Sequence, residues 1–261
     1  MIKAVPSILA RIVQAKREEL ASRSLPVAEW EGRAEFEHSR RRDFRAALQH
    51  APAIIAEVKK ASPSRGVLAA NFDPVRTARQ YEHGGATALS VLTEEKFFQG
   101  ALRDLECARA ATALPVLRKD FTIASEHVLE AAAHGADAIL LIAAILTEHE
   151  MRDFREAAAR FGIAALVEVH DGEELNLALG SGAEIVGVNN RDLNTFEVSL
   201  ETSLHLAEQM PAGIVRVSES GIHHRDDIAT LRAAGYTAFL VGEHLMKAAD
   251  PAAALRELAA A

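Results

Sequence analysis

The chain has almost no cysteine. Cys107 is the single one in 261 residues, so no intramolecular disulfide can form, and the composition fits a reducing cytoplasm. It lies in a helix-like stretch, Ala101 to Ala111, and reads as a small core residue rather than a nucleophile. Long apolar runs are missing too. The longest, Ala136 to Leu146, is interrupted by Asp137 and is too short to cross a bilayer. Met1 to Ala15 lacks the apolar core and cleavage site of a secretory leader. Positive charge is in deficit: the formal net charge is −8. That argues against a nucleic-acid partner, which wants a basic face. It leaves room for a small anionic substrate, because a few converging lysines can dominate one pocket. No low-complexity segment, heptad array or H-E-x-x-H metal motif occurs, and His83 and His223-His224 have no companions at ligand spacing.

What is present is a rhythm. The chain is 49% hydrophobic and 25% charged, ordinary for a globular protein, and its length suits one large α/β barrel or two small domains. From Ala53 onward eight apolar runs recur: Ala53–Val58, Ala88–Leu92, Pro115–Leu117, Ala138–Ile142, Ala164–Val169, Ile185–Val188, Ile214–Val217 and Ala238–Val241. Segments with apolar residues at helical spacing follow each of them, from Pro74–His83 to Pro251–Ala260. Several end in glycine just before the next run, as at Gly84-Gly85 and Gly135, the expected helix cap. Eight βα units with nearly unbroken apolar strands predict a parallel (β/α)8 TIM barrel over 53–261. The alternative, a doubly wound open sheet, is weakened because no G-x-G-x-x-G turn follows any strand. The first 50 residues stand outside this rhythm. Ile8–Leu20 and Arg41–His50 are expected as two extra helices packed on the barrel, separated by 22–33 with Pro26 and Gly32. Together the chain is expected to form a single domain. The basic triplet Arg40-Arg41-Arg42 reads as solvated surface.

Function concentrates where strands end, since the chemistry of such a barrel sits at the C-terminal ends of its strands. The first strand ends in Glu57-Val58-Lys59, and residues two apart on a strand share a side. A polar loop, Ser62-Pro63-Ser64-Arg65-Gly66, follows. The third strand ends in Arg118-Lys119-Asp120-Phe121 and the fifth carries Glu168. The sixth ends in Asn189-Asn190-Arg191-Asp192-Leu193, the seventh in Ser218-Glu219-Ser220-Gly221 and the eighth in Gly242-Glu243. Glu57, Lys59, Lys119 and Glu168 thus point into one mouth, where opposed charges shift one another's ionisation and supply acid/base pairs. Small residues after strands seven and eight fit the phosphate site frequent in this fold.

On these motifs the chain resembles the indole-3-glycerol phosphate synthase family of tryptophan biosynthesis, over essentially its full length and including the N-terminal extension. Glu57-Val58-Lys59-Lys60-Ala61-Ser62-Pro63-Ser64 and Val188-Asn189-Asn190-Arg191-Asp192-Leu193 carry most of the likeness. Leu117-Arg118-Lys119-Asp120-Phe121, Leu166-Val167-Glu168-Val169-His170, Ser218-Glu219-Ser220-Gly221-Ile222 and Val241-Gly242-Glu243 complete it in order. His244 stands where the family more often has a small residue and is expected to face away from the phosphate.

The resemblance implies a carboxy-lyase that converts 1-(2-carboxyphenylamino)-1-deoxyribulose 5-phosphate into indole-3-glycerol phosphate, carbon dioxide and water, with no metal and no organic cofactor. It implies Lys119 as the acid of ring closure, and Lys59 as the holder of the substrate carboxylate and a candidate donor to the leaving hydroxyl. Glu168 would be the base or the carboxylate that stabilises a cationic intermediate. Glu57 would bind substrate and hold the lysines, and Asn189 would orient the sugar hydroxyls. Ser220, Gly221, Gly242 and Glu243 would take the phosphate; Ser62 and Arg191 would contact substrate, and Phe121 and Leu193 would form a slot for its aromatic ring. The partner implied is this anionic sugar phosphate, with no nucleic acid and no membrane, and a monomer is the favoured state. The Ser62–Gly66 loop is expected to close over substrate. The nearest rival is another phosphate-binding barrel such as phosphoribosylanthranilate isomerase, whose chemistry needs no lysine pair; a non-catalytic sugar-phosphate-binding barrel is the other.

Overall fold

A computed structural model describes residues 7–22, 24–63, 66–69, 71–193 and 195–260. Eight strands, β1 (Ala53–Val58), β2 (Ala88–Leu92), β3 (Val116–Lys119), β4 (Ala138–Ile142), β5 (Ala164–Val169), β6 (Ile185–Asn189), β7 (Val215–Glu219) and β8 (Ala238–Val241), form one closed barrel. Each pairs in parallel with its sequence neighbours, and β1 closes the ring on β8 through Ala53↔Ala238 to Ala56↔Val241. That pairing rules out the open sheet. β3, β6 and β7 run past their apolar stretches to Lys119, Asn189 and Glu219. These three polar side chains therefore stand on strand backbone rather than on loops.

Alternation along the strands sorts the core into two layers. Ile54, Ala56 and Val58 pack outward with the helices, whereas Ala53 and Ile55 point inward with Leu117, Leu140, Leu166 and Val217. Burying each such aliphatic side chain is worth about 1.5–3 kcal/mol. The outer helices start and stop on local chemistry. Helix α4 (Pro74–Gly84) is capped by the Asp73 carboxylate on the backbone N–H groups of Val75 and Arg76, and ends at Gly85 in the left-handed region. Helix α7 (Glu148–Arg160) opens with a reciprocal Thr147/Glu150 capping box. The helices between and after them are α5 (Leu102–Ala111), α6 (Ser125–Ala133), α8 (Gly172–Gly180), α9 (Glu201–Ala207), α10 (Arg225–Ala233), α11 (Glu243–Lys247) and α12 (Pro251–Ala259).

The N-terminal extension is helical, but its second helix is not where the sequence pattern suggests. Helix α1 (Ser7–Ser22) contains the expected segment. Helix α2 (Val27–His38) occupies the stretch expected as a link, and the expected helix over 41–50 is a single turn, α3 (Phe44–Ala47). Tertiary packing decides the difference. Trp30 and Ala34 of α2 are buried, and Arg33 reaches Glu106 of α5 at 2.7 Å. Phe44 and Leu48 are fully buried and enter the inner barrel cluster from the N-terminal end. The triplet Arg40-Arg41-Arg42 is likewise not solvated surface. Arg41 donates to the carbonyls of Ala132, Ala136 and Phe161, and Arg42 to those of Leu114 and Arg109. Together they tie the extension to the barrel's N-terminal face, the end opposite the strand C-termini. Arg40 alone of the three is exposed.

Candidate active site

Inward-facing residues at the C-terminal strand ends surround a cavity of about 440 Å³. Its floor is charged. Lys119 Nζ lies 2.7 Å from Glu168 Oε2 and 2.8 Å from Glu219 Oε2, so one ammonium joins carboxylates from β5 and β7. Across the mouth Lys59 forms a short ion pair with Glu57. Burial alone would lower Lys119, but Glu168, Glu219 and Glu57 outweigh it and hold the ammonium above the ordinary lysine value. Burial alone would raise Glu168; Lys119, His170 and hydrogen bonds from Lys119 and Asn189 instead keep it below the usual carboxylate range. Glu219 goes the other way. Burial pushes its carboxyl up to about 7, against the pull of Lys119 and with the charge of Glu168 adding to the rise. Its second oxygen, Oε1, is buried and without a hydrogen-bond partner. It sits against Gly187 of β6, where a Cβ would fall 2.1 Å away.

Polar partners fix the walls. Asn189 Oδ1 accepts from the Arg191 backbone N–H at 3.1 Å and from Ser220 Oγ at 2.9 Å, which turns its amide toward Glu168. Behind it Asn190 donates to Ser218 Oγ and the Ser220 carbonyl and accepts from both the backbone N–H and the hydroxyl of Ser203. This fully satisfied buried cluster locks the β6 and β7 loops together. Ser220 and Gly221 both have positive φ, 67° and 79°. Gly242 has another reason to be glycine: its φ is ordinary at −120°, but a Cβ there would fall 2.3 Å from Glu57 Oε1. At that corner Arg191 and Glu243 approach to 3.8 Å, and the ring of His223 meets that of His244 edge-on at 5.9 Å.

The apolar wall is made by Phe121, Leu193 and Phe98, with Phe98 and Phe121 6.1 Å apart, and by Ile8, Leu9 and Ile12 of α1. Helix α1 is thus part of the cavity. Its Lys16 is buried and pairs with Asp120 at 2.9 Å. Asp120 also accepts from Thr93 at 2.6 Å and from Arg118 at 3.2 Å. Against the effect of burial, these cations and hydrogen bonds hold Asp120 far below the usual carboxylate range.

A family model for indole-3-glycerol phosphate synthase matches residues 9–258. The chain is 50% identical over 258 residues to the indole-3-glycerol phosphate synthase of Koribacter versatilis, covering 97% of this chain and 98% of that one. It is 48% identical to that of Dechloromonas aromatica, over 96% of this chain and 98% of the relative. The chain belongs to the indole-3-glycerol phosphate synthase family. Its activity is the family's, a carboxy-lyase step of tryptophan biosynthesis. Solved structures share the fold alone. Thiamine phosphate pyrophosphorylase from Pyrococcus furiosus superposes with TM-score 0.59 at 20% identity, over 79% of this chain and 93% of that one. N-acetylmannosamine-6-phosphate 2-epimerase from Clostridium perfringens gives 0.61 at 17%, over 78% and 91%.

Every residue expected at the synthase site borders the one cavity. Glu57, Lys59, Lys119, Glu168 and Asn189 line its charged side, and Ser62, Phe121, Arg191 and Leu193 its rim and apolar wall. Ser220, Gly221, Gly242 and Glu243 border it as well. Ser62 lies in a two-residue strand paired with Gly66–Val67; Ser64 and Arg65 of the expected closing loop lie outside the described residues. Three features were not expected. Glu219 shares Lys119, α1 supplies part of the wall, and His244 borders the cavity. Glu219 was legible from alternation, because Val215 and Val217 point inward and two further residues reach Glu219. Among the described residues there is no group of side chains that could hold a metal ion, and no helix is long and apolar enough to cross a membrane.

Proposed function

We propose that the Lys119 ammonium, held between Glu168 and Glu219, is the acid that starts the synthase reaction on 1-(2-carboxyphenylamino)-1-deoxyribulose 5-phosphate. The observation that carries this reading is the pair of 2.7 and 2.8 Å contacts at the cavity floor. Ring closure joins the aromatic carbon bearing the carboxylate to the ketone carbon, and the ketone oxygen needs a proton. Lys119 delivers it. A neutral amine beside the Glu168 carboxylate is unfavourable, and Glu219, raised to about 7 and so partly protonated at neutral pH, restores the ammonium along their hydrogen bond. Carbon dioxide then leaves and its bonding electrons rearomatise the ring. The nitrogen lone pair next expels the new hydroxyl, which takes a proton from Lys59 and departs as water. Glu168 removes a proton from the carbon beside nitrogen, completing the indole. Positioned acid/base groups of this kind contribute about 10²–10⁴-fold each.

The remaining roles follow the chemistry of the walls. Lys59 leaves Glu57 to meet the substrate carboxylate, Asn189 and Ser62 hold the sugar hydroxyls, and Arg191 stabilises the anionic substrate. Phe121 and Leu193 take the aromatic ring. Ser220, Gly221, Gly242 and Glu243 hold the phosphate, largely through backbone N–H groups. The chain works as one domain, 1–261, with 1–50 as an extension. We place it in the cytoplasm as a monomer. The test mixes the purified protein with the substrate and a chelator and follows indole fluorescence. A rise that is lost in Lys119→Ala, while ligand binding persists, supports the reading; near-normal turnover by Lys119→Ala overturns it.

A further inference from the structure

Two glutamates meet Lys119 at nearly equal distances, 2.7 and 2.8 Å, yet they cannot be equivalent in a reaction that needs one base. Their free oxygens differ. Oε1 of Glu219 has no hydrogen-bond partner and rests against Gly187. Oε1 of Glu168 faces Nε2 of His170 at 3.5 Å. His170 directly follows β5 and does not line the cavity, so it stands behind Glu168, out of reach of substrate.

The ring of His170 is held in place. Glu174 of α8 accepts from both the His170 backbone N–H at 2.8 Å and ring Nδ1 at 2.9 Å. A carboxylate only accepts, so Nδ1 carries a hydrogen. Nε2 then points at a second carboxylate. A bare lone pair there would face negative charge, whereas an N–H would face it favourably, so the arrangement selects the imidazolium. Nε2 is buried and makes no hydrogen bond, so its 3.5 Å approach to Glu168 is a contact of charge. The surroundings agree: burial would lower His170, but Glu174, Glu168 and Glu219 together raise it.

We propose that His170, anchored by Glu174, is the positioning residue that assigns the roles of the two glutamates on Lys119, making Glu168 the carboxylate base and leaving Glu219 as the group that returns a proton to Lys119. The proposal rests on the reading of Glu168 as the base. The groups that face Glu168 are Lys119 from β3, Asn189 from β6, Glu219 from β7 and His170, with Glu57 of β1 acting through Lys119. Of these only Lys119 and His170 bring positive charge. Lys119 is shared between both glutamates, so His170 breaks the symmetry. It is the same logic by which paired carboxyls in other sites acquire separate acid and base duties.

The test has two arms. In the wild-type enzyme with ¹⁵N-labelled histidine, the His170 ring, assigned by its loss in His170→Asn, is expected to titrate above the ordinary histidine midpoint near 6.5. A midpoint at or below that value overturns the proposal. In steady-state kinetics, His170→Asn is expected to move the acidic limb of kcat up by about 1–3 pH units, the usual effect of losing an opposite charge at this range. kcat then falls at the acid end of the profile, the deficit shrinks by pH 8.5, and KM stays within about twofold. Glu174→Gln, which keeps the acceptor and removes the charge, shifts the limb in the same direction by less. Superimposable pH profiles overturn the proposal. Glu168→Gln separates the two readings: if it retains turnover, the base assignment fails while the His170 titration still stands.

Discussion

Replacing Lys119 by Met keeps the side-chain length and removes the ammonium that two buried carboxylates share. The stability of this variant should depend on pH in a way that the wild type does not. In the wild type, Glu219 sits at about 7 against an unfolded value of 4.5. A carboxyl raised on folding binds a proton in the folded state, so its contribution is lost as pH rises through about 7 and adds no slope well above it. Glu168, depressed below 4.5, contributes no slope between pH 6 and 8.5. Without Lys119 both carboxyls lose their nearest cation, and one of the buried pair then stays protonated across this window. One further proton is then taken up on folding at pH 7 and above.

Each such group costs about 1.36 kcal/mol per pH unit, so between pH 7 and 8.5 the variant loses about 2 kcal/mol more than the wild type. This adds to the pH-independent cost of breaking a buried ion pair, about 3–5 kcal/mol. His170 titrates in both proteins and cancels to first order in the difference. Urea unfolding of the two proteins at pH 6, 7 and 8.5, with equal m-values, measures the gap directly. A gap constant to within about 0.5 kcal/mol would refute the claim that Lys119 governs the proton balance of both glutamates.

The barrel was legible because its strands are short, apolar and evenly spaced, and five of the eight have the ranges that their apolar runs suggest. The other three continue into polar residues that a hydrophobic criterion cuts off. Those that end the strands, Lys119, Asn189 and Glu219, line the cavity, where polar and charged partners satisfy the side chains. The mouth could be read for a related reason. Side chains two apart share a face, so Glu57 and Lys59, like Val217 and Glu219, are placed by counting alone.

The extension was not legible in the same way. Pro26 and Gly32 suggest a link, yet Pro26 directly precedes α2 and Gly32 lies within it, where a Cβ would meet nothing within 4 Å. What makes α2 a helix is long-range: Trp30 and Ala34 packed inward and Arg33 on Glu106. Conversely, Phe44 and Leu48 have true helical spacing and are both buried, but the helix stops after one turn because they plug a barrel end. Nothing local says that Ile8, Leu9 and Ile12 belong over the opposite end. That placement comes from the buried pair of Lys16 with Asp120, residues more than a hundred apart in sequence.

Three further substitutions separate these parts. Arg42→Ala removes hydrogen bonds to Leu114 and Arg109 carbonyls at the N-terminal face and should cost about 2–4 kcal/mol with kcat and KM unchanged, as denaturant unfolding and steady-state kinetics would report. Lys16→Met strips one cation from Asp120, which keeps Arg118, so stability should fall by about 1–3 kcal/mol and KM should rise as α1 loosens from the cavity. An unchanged KM would remove α1 from the site. Gly242→Ala acts on a single side chain. The backbone there is unstrained, but the new methyl would lie 2.3 Å from Oε1, 3.0 Å from Cδ and 3.2 Å from Cβ of Glu57. The carboxylate must therefore move by about 1 Å, taking its partner Lys59 with it, and a displacement of that size can cost about 10²-fold in rate. kcat should fall by that order while the melting temperature changes little. In a Glu57→Ala background the same glycine change should add almost nothing, since contacting residues couple and the contact is then gone. An equal loss in both backgrounds would mean that Gly242 serves the ligand directly and not Glu57.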